Sequence, residues 1–208
     1  MARLSLPATK GNLLKVRDSL ALAAEALTFL EEKRDILLGE LCRLEARASA
    51  TRRRMERALE EGYRHLRAGL LAVGAEGVAR AALGVAEDGG IVLSDRPFLG
   101  MPMPVVEFRP GRQRPEFSFG GTVGALDECH LAIGDTLALI AELAEMEAVM
   151  WQLAEELKRT VRRTNALSYV LIPTYRETIR YLEGSLEERE RESLFHLKRG
   201  KARRARGD

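Results

Sequence analysis

The chain has 208 residues, of which 46% are hydrophobic and 5% aromatic, and its 33 basic and 31 acidic side chains give a net charge of +2. No apolar run approaches the roughly 20 residues of a membrane-spanning helix, and no signal-peptide pattern is present, so we expect a cytoplasmic protein. Cys42 and Cys129 lie far apart and predict neither a metal site nor a redox pair. This composition is typical of long exposed helices rather than of a conventional globule.

The N-terminal segment, residues 1–75, predicts one long helix. No proline interrupts the chain between Ala8 and Arg96, and apolar residues recur at alternating spacings of three and four, the pattern of a coiled-coil seam. A helix from about Leu13 to Leu71 would be roughly 90 Å long and needs a partner to cover its apolar stripe. The predicted seam comprises Leu13, Val16, Leu20, Ala23, Leu27, Leu30, Arg34 as the one polar exception, Leu37, Leu41 and Leu44, and continues more weakly through Ala48, Thr51, Met55 and Ala58.

The middle segment, residues 76–124, breaks this pattern. Five of the seven prolines fall between Pro97 and Pro115, among several glycines. We predict a short helix over Glu76–Leu83, followed by a β-hairpin formed by Ile91–Ser94 and Val105–Phe108.

The C-terminal segment, residues 125–197, predicts a second long helix, and a basic tail follows over residues 198–208. Pro173 lacks the N–H that would bond to the carbonyl of residue 169, so we expect a kink or break there. The seam resumes afterwards with Ile179, Leu182 and Leu186. Before the proline, the predicted seam consists of Ile133, Leu137, Ile140, Ala144, Glu147, Trp151, Ala154, Leu157 and Val161.

Charge favours pairing of the two long helices. Residues 1–75 carry 14 basic and 10 acidic side chains, whereas residues 125–197 carry 8 basic and 14 acidic ones. Opposite net charges attract and disfavour pairing with identical copies. Even pairing of an antiparallel hairpin would bring Glu147 near the basic run Arg52, Arg53, Arg54 and Arg57. We therefore predict a mainly α fold: a long antiparallel two-helix coiled coil with a small middle segment containing a short helix and a β-hairpin.

Catalytic motifs are missing from the sequence. There is no phosphate-binding loop, and His65, His130 and His196 are scattered singly. The acidic cluster Glu187–Glu192 alternates with arginines, as on a solvated helix face. Two basic clusters, one including Lys158–Arg163 and the other in the tail, could contact phosphate backbones, but no base-stacking aromatic residues accompany the tail. These features predict a protein without an active site, cofactor or metal.

The long helices carry motifs that resemble those of the D subunit of the V-type and archaeal-type rotary ATPases. The resemblance covers about two thirds of the chain. Near the N-terminus it rests on Pro7–Lys10 followed by Leu13-Leu14, and on Lys33-Arg34-Asp35 with Leu37. In the C-terminal helix it rests on Arg162-Arg163, Asn165-Ala166-Leu167, Ile172-Pro173, Glu188-Arg189-Glu190, Phe195 and Leu197-Lys198.

This resemblance implies a non-catalytic rotor shaft. In that family the two terminal helices enter a catalytic head of alternating A and B subunits. The middle segment meets a small stalk protein, the F subunit, and a funnel-like subunit that leads to the membrane rotor ring. Rotation couples ATP hydrolysis or synthesis in the head to ion translocation through the ring. The implied protein binds no nucleotide directly, does not insert into the membrane, and is membrane-associated only through the assembled complex.

The family likeness also suggests interface residues. They are Lys33, Arg34, Asp35, Arg162, Arg163, Asn165, Pro173, Arg189 and Glu190, with Pro173 also the expected bend. The alternative function is a stand-alone coiled-coil adaptor, whose basic tail could bind nucleic acid, although the lack of base-stacking aromatic residues disfavours that partner. An enzyme with a site in residues 76–124 would need a convergent polar cluster, which that segment lacks.

Overall fold

The computed structural model describes residues 4–85, 89–111 and 120–204, so the predicted basic tail lies in part outside the described residues. The elements in chain order are helix α1 (Lys10–Ala82), strands β1 (Gly90–Phe98) and β2 (Met101–Arg109), and helices α2 (Gly124–Ala166) and α3 (Ile172–Arg204). A π-helical turn over Leu167–Leu171 lies between α2 and α3. The predicted mainly α fold with a central hairpin is confirmed.

Helix α1 contains one break in its helical geometry, at Gly74. This residue has φ 74° and ψ 169°, a conformation that glycine adopts without the steric cost of a Cβ. The short helical segment that follows ends at Ala82 and corresponds to the predicted helix over Glu76–Leu83.

The hairpin is longer than the sequence predicted. Its strands pair antiparallel from Gly90 with Arg109 to Phe98 with Met101, so they include Pro97, Pro102 and Pro104. Proline is tolerated because each strand of a two-stranded sheet has one unpaired edge, where a missing N–H costs no ladder hydrogen bond. Positive φ at Leu99 (48°) and Gly100 (80°) forms the tight turn typical of two-residue hairpin loops.

Pro173 is accommodated by a change of helical hydrogen bonding rather than by the end of the helix. Directly before it, the chain forms the π-helical turn, and the N–H of Ile172 donates to the carbonyl of Leu167, five residues earlier. The Thr174 hydroxyl donates to the Val170 carbonyl at 2.6 Å, which satisfies one acceptor beside the proline. The predicted disruption is therefore a π-turn, a known way for a helix to absorb an irregular residue.

The chain forms two compact units, and each contains one antiparallel helix pair. Unit 1 comprises Met1–Leu37 and Leu157–Asp208, and unit 2 comprises Leu38–Glu156. In unit 1, Arg17 and Glu183 form an ion pair at 2.5 Å. In unit 2, Arg52 and Glu147 form one at 2.6 Å, which confirms the juxtaposition predicted from even antiparallel pairing. His65 Nδ1 also lies 2.8 Å from a Glu128 oxygen.

Burial along α1 follows the predicted spacing of three and four. The buried seam positions are separated by half-buried ones, and the positions between them are mostly exposed. Arg34 is half-buried and bonds to its neighbour Asp35 at 2.8 Å. The buried positions are Val16, Ala23, Leu37, Leu44, Ala48 and Thr51, and the half-buried ones are Leu13, Leu20, Leu27, Leu30, Leu41, Met55 and Ala58.

The predicted register of α2 is wrong by one residue. Leu137, Ile140 and Trp151 are exposed by 46%, 42% and 73%, whereas Ile133 is half-buried. A stripe one position earlier, which includes threonines, is buried instead. For Thr136 the cost of burial is offset because its hydroxyl donates to the Ala132 carbonyl of the same helix at 2.7 Å. The residues of this buried stripe are Thr136, Leu143, Met146, Leu153 and Thr160.

Candidate partner-binding surface

The predicted interface residues all belong to unit 1, and most face solvent. Arg162, Arg163 and Asn165 are exposed on the last turns of α2, Asp35 is exposed on α1, and Lys33 is half-buried. Their role at an interface stays a prediction. Pro173 is half-buried directly after the π-turn.

The antiparallel register of unit 1 relates the two predicted clusters. Lys10 pairs with Glu190. Arg17, seven residues later on α1, pairs with Glu183, seven residues earlier on α3. Continued along α1, this register brings Arg34 level with Ala166, within one helical turn of Arg163 and Asn165. Basic side chains from both helices are thus available at one level of unit 1.

Arg189 and Glu190 make contacts within the chain. Arg189 Nη1 donates to the Ala8 carbonyl at 2.7 Å, and Glu190 pairs with Lys10 at 2.9 Å. The hydrogen bond and the charge of Lys10 lower the pKa of the Glu190 carboxyl, and the same pair raises the pKa of Lys10. Sequence reasoning missed these contacts because Ala8 and Lys10 lie before the predicted helix start at Leu13, where no periodicity places them against α3.

A shallow hollow lies beside this pair. It has an apolar floor and a mostly acidic rim, with a volume of about 320 Å³. The ion pairs of Lys10 with Glu190 and of Arg17 with Glu183 hold together the helices that form it. The hollow is lined by Lys10, Leu13, Leu14, Glu183, Leu186, Glu187 and Glu190.

Unit 1 also exposes large apolar side chains outside its helix seam. On α1, Leu22, Phe29 and Ile36 recur every seven residues and are more than half exposed. The π-turn exposes Tyr169 and Val170. Exposed apolar side chains repeated along one helix make this surface a candidate contact with another macromolecule.

The described residues contain no group of three or more histidine, cysteine or acidic side chains that could hold a metal ion. None of the helices in the described part of the chain is long and apolar enough to cross a membrane. Cys42 is an exposed free thiol, and partial burial raises the pKa of the Cys129 thiol.

Comparison with known proteins gives consistent matches along the chain. The family model for the ATP synthase D subunit matches residues 12–202. The chain is 37% identical over 195 residues to the A-type ATP synthase D subunit of Methanopyrus kandleri, covering 93% of this chain and 84% of that protein. It is 34% identical over 203 residues to the V-type ATP synthase D subunit of Thermotoga neapolitana, covering 98% of this chain and 100% of the relative. For the A-type ATP synthase D subunit of Thermococcus sibiricus, identity is 33% over 202 residues, with 96% and 94% covered.

Proposed function

The chain belongs to the family of ATP synthase D subunits, and on this basis we propose that it is the central-stalk rotor subunit of a V/A-type ATPase. It couples ATP hydrolysis or synthesis in a catalytic head of A and B subunits to ion translocation through a membrane rotor ring. It has no active site of its own and associates with the membrane only through the assembled complex.

The structural observation that best supports this proposal is the antiparallel pairing of two different helices, which are connected by ion pairs. A protein that transmits torque must resist the sliding and untwisting of its helices. Ion pairs at Arg17–Glu183 and Arg52–Glu147, with buried residues such as Leu37 and Leu153, oppose such motion. Because interfaces switch between discrete packings, a rotating asymmetric shaft can favour a different state at each catalytic site in turn.

Unit 1 is the proposed contact with the catalytic head. Its apolar side chains at Leu22, Phe29 and Ile36 are exposed, and Arg162, Arg163 and Asn165 add polar and basic groups at the surface. A mixed surface of this kind suits a moving contact, since apolar groups supply area and charged groups supply orientation.

Unit 2 is the proposed contact with the small F subunit of the stalk and with the funnel-like subunit. The hairpin exposes Ile91 and Leu93, and its β2 strand is tied to α2 by a hydrogen bond from the Val106 N–H to Glu145 at 2.8 Å. This bond gives a partner a fixed sheet to dock against.

Direct observation of rotation tests the proposal. The hairpin turn is exposed at Leu99, so Leu99→Cys, in a chain with Cys42→Ser and Cys129→Ser, provides one attachment point for an optical probe. With the A and B head immobilised, ATP should drive stepwise rotation of the probe in one direction. A chain that does not co-purify with A and B subunits, or stays still while they hydrolyse ATP, would favour the adaptor alternative.

Charge reversal tests the predicted head contact. The double variant Arg162→Glu/Arg163→Glu should reduce assembly with the A and B subunits about tenfold or more, because like charges at an interface are repulsive. Arg53→Glu/Arg54→Glu is the matched control, since it reverses two adjacent exposed arginines in unit 2. Normal assembly and rotation of the first variant would remove Arg162 and Arg163 from the interface.

A further inference from the structure

The first residues of helix α1 have a low intrinsic tendency to form a helix. Thr9 caps it, since its hydroxyl accepts a hydrogen bond from the Asn12 N–H at 3.2 Å. The first turn nevertheless contains Gly11 and no acidic residue, and Lys10 places a positive charge at the positive end of the helix dipole. Besides the Thr9 cap, the local support is a hydrogen bond from the Asn12 side-chain amide to the Pro7 carbonyl at 2.9 Å. Any torque transmitted through α1 would load these first turns.

Helix α3 supplies a negative charge and a hydrogen-bond donor to the N-terminus of α1. Glu190 brings a carboxylate to Lys10 and to the positive end of the α1 dipole. Arg189 donates to the carbonyl of Ala8, immediately before the cap residue. Both contacts join residues about 180 apart in sequence, so they act only when α1 and α3 are paired.

The residues before α1 extend this attachment along α3. The Leu4 N–H donates to the Thr178 hydroxyl at 3.1 Å, and that hydroxyl donates in turn to the Thr174 carbonyl at 2.7 Å. Ala8 is buried in a cluster with Val16 and Leu182. Segment 4–9 is thus anchored to α3 at Thr178 and again at Arg189.

We propose that residues 4–10 form an N-terminal clasp that holds the first turns of α1 against α3, anchored by Arg189 at the Ala8 carbonyl and by Glu190 at Lys10. This makes Arg189 and Glu190 positioning residues within the chain rather than contacts with the catalytic head. The clasp prevents the terminus of α1 from fraying, and its effect on energy coupling rests on the rotor function proposed above.

Hydrogen exchange of the isolated full-length chain tests the clasp without any partner. Arg189→Gln should speed amide exchange in residues 10–17 by roughly three- to tenfold, the effect of losing a partly exposed hydrogen bond to a charged group. Arg191→Gln is the control, since among the described residues Arg191 forms ion pairs with Glu187 and Glu188 on its own helix. Arg189→Lys should restore protection, because lysine keeps a charged donor. Equal exchange in the Arg189→Gln and Arg191→Gln variants would overturn the proposal.

A double-mutant cycle provides a second, independent test. Lys10→Gln and Glu190→Gln should have non-additive effects on exchange in the same residues, because each substitution alone already removes the ion pair. Additive effects of the two substitutions would mean that the side chains do not act as a pair, and would overturn the role of Glu190.

The mechanical consequence is tested in the assembled complex. Arg189→Gln should lower the number of ions transported per ATP hydrolysed, whereas Arg191→Gln should not. Faster exchange in the isolated chain with unchanged coupling in the complex would overturn the mechanical role. If the proposed rotor function itself fails, even the unmodified chain will not rotate with the head, so the two failures are distinguishable.

Discussion

The two units of the molecule use the same antiparallel helix pairing but stabilise it differently. In unit 1, a non-helical segment is anchored to α3, and residues such as Leu182 and Thr178 are fully buried. In unit 2, glycines let the helices approach closely: a Cβ at Gly69 would lie 2.5 Å from Leu126 Cδ2, and one at Gly62 would lie 3.0 Å from Ile133 Cδ1. Sequence periodicity can thus identify helix pairing without revealing what holds each part of it together.

The largest expected change in the free energy of unfolding tests the register of α2. Leu153 is fully buried, whereas Trp151, two residues earlier, is 73% exposed. Leu153→Ala should lower the free energy of unfolding by about 2–5 kcal/mol through lost burial and the resulting cavity. Trp151→Ala should change it by less than about 0.5 kcal/mol. Urea unfolding followed by circular dichroism measures both, and the reverse ranking would restore the register that we predicted from sequence.

The next largest change in stability is expected at the glycine contacts of unit 2. Gly69→Leu should lower the free energy of unfolding by about 1–3 kcal/mol, because the leucine overpacks against Leu126. Gly39→Leu should stabilise the chain by up to about 1 kcal/mol, because the position is open and leucine is the better helix former. Thermal unfolding of the two variants measures the difference. Equal effects would mean that close helix approach at Gly69 contributes nothing to unit 2.

Replacing two buried threonines of unit 1 should change the free energy of unfolding by smaller amounts and in opposite directions. The Thr164 hydroxyl donates to the Thr160 carbonyl at 3.0 Å, whereas the buried Thr160 hydroxyl has no hydrogen-bond partner among the described residues. Thr160→Val should therefore stabilise the chain by about 1 kcal/mol, and Thr164→Val should destabilise it by a similar amount. Denaturant unfolding measures both, and destabilisation by Thr160→Val would show that its hydroxyl is satisfied.

The smallest effect is the pH dependence of the Lys10–Glu190 pair. Lys10 holds the pKa of Glu190 below its ordinary value of 4.5, so the pair stabilises the folded chain above that pH. Its contribution is lost as the pH falls through the lowered pKa, because the carboxylate is then protonated. The stability difference between wild type and Glu190→Gln should vanish over this range. A difference that persists at lower pH would exclude the ion pair as its source.

The sequence predicted α1 well because its seam is made of leucines at regular spacing. It failed in α2 because large apolar residues such as Trp151 and Ile140 outweigh a stripe that includes Thr136 and Thr160 when positions are ranked by hydrophobicity. Burial of those threonines depends on the tertiary partner. For Thr136, a hydrogen bond to the Ala132 carbonyl at 2.7 Å also offsets the cost of burial.

The full length of the hairpin and the contacts of the N-terminal clasp were not predicted from the sequence, for related reasons. Pro97 and Pro102 normally end strands, and only the open edges of a two-stranded sheet allow them to continue. Arg189 and Glu190 belong to a motif that suggested an external interface, but their partners Ala8 and Lys10 lie about 180 residues away. Contacts of this range carry no local signal in a single sequence.

The antiparallel pairing of the helices within each unit is central to the proposed function, and short-range cross-linking tests it most directly. In a chain with Cys42→Ser and Cys129→Ser, cysteine pairs replace Arg17 with Glu183 in unit 1 and Arg52 with Glu147 in unit 2. A short bis-maleimide linker should join both pairs within one molecule, and should not join a control pair at Arg17 and Arg176, about 10 Å further along the helix. Cross-links only between separate molecules, or efficient joining of the control pair, would contradict this pairing.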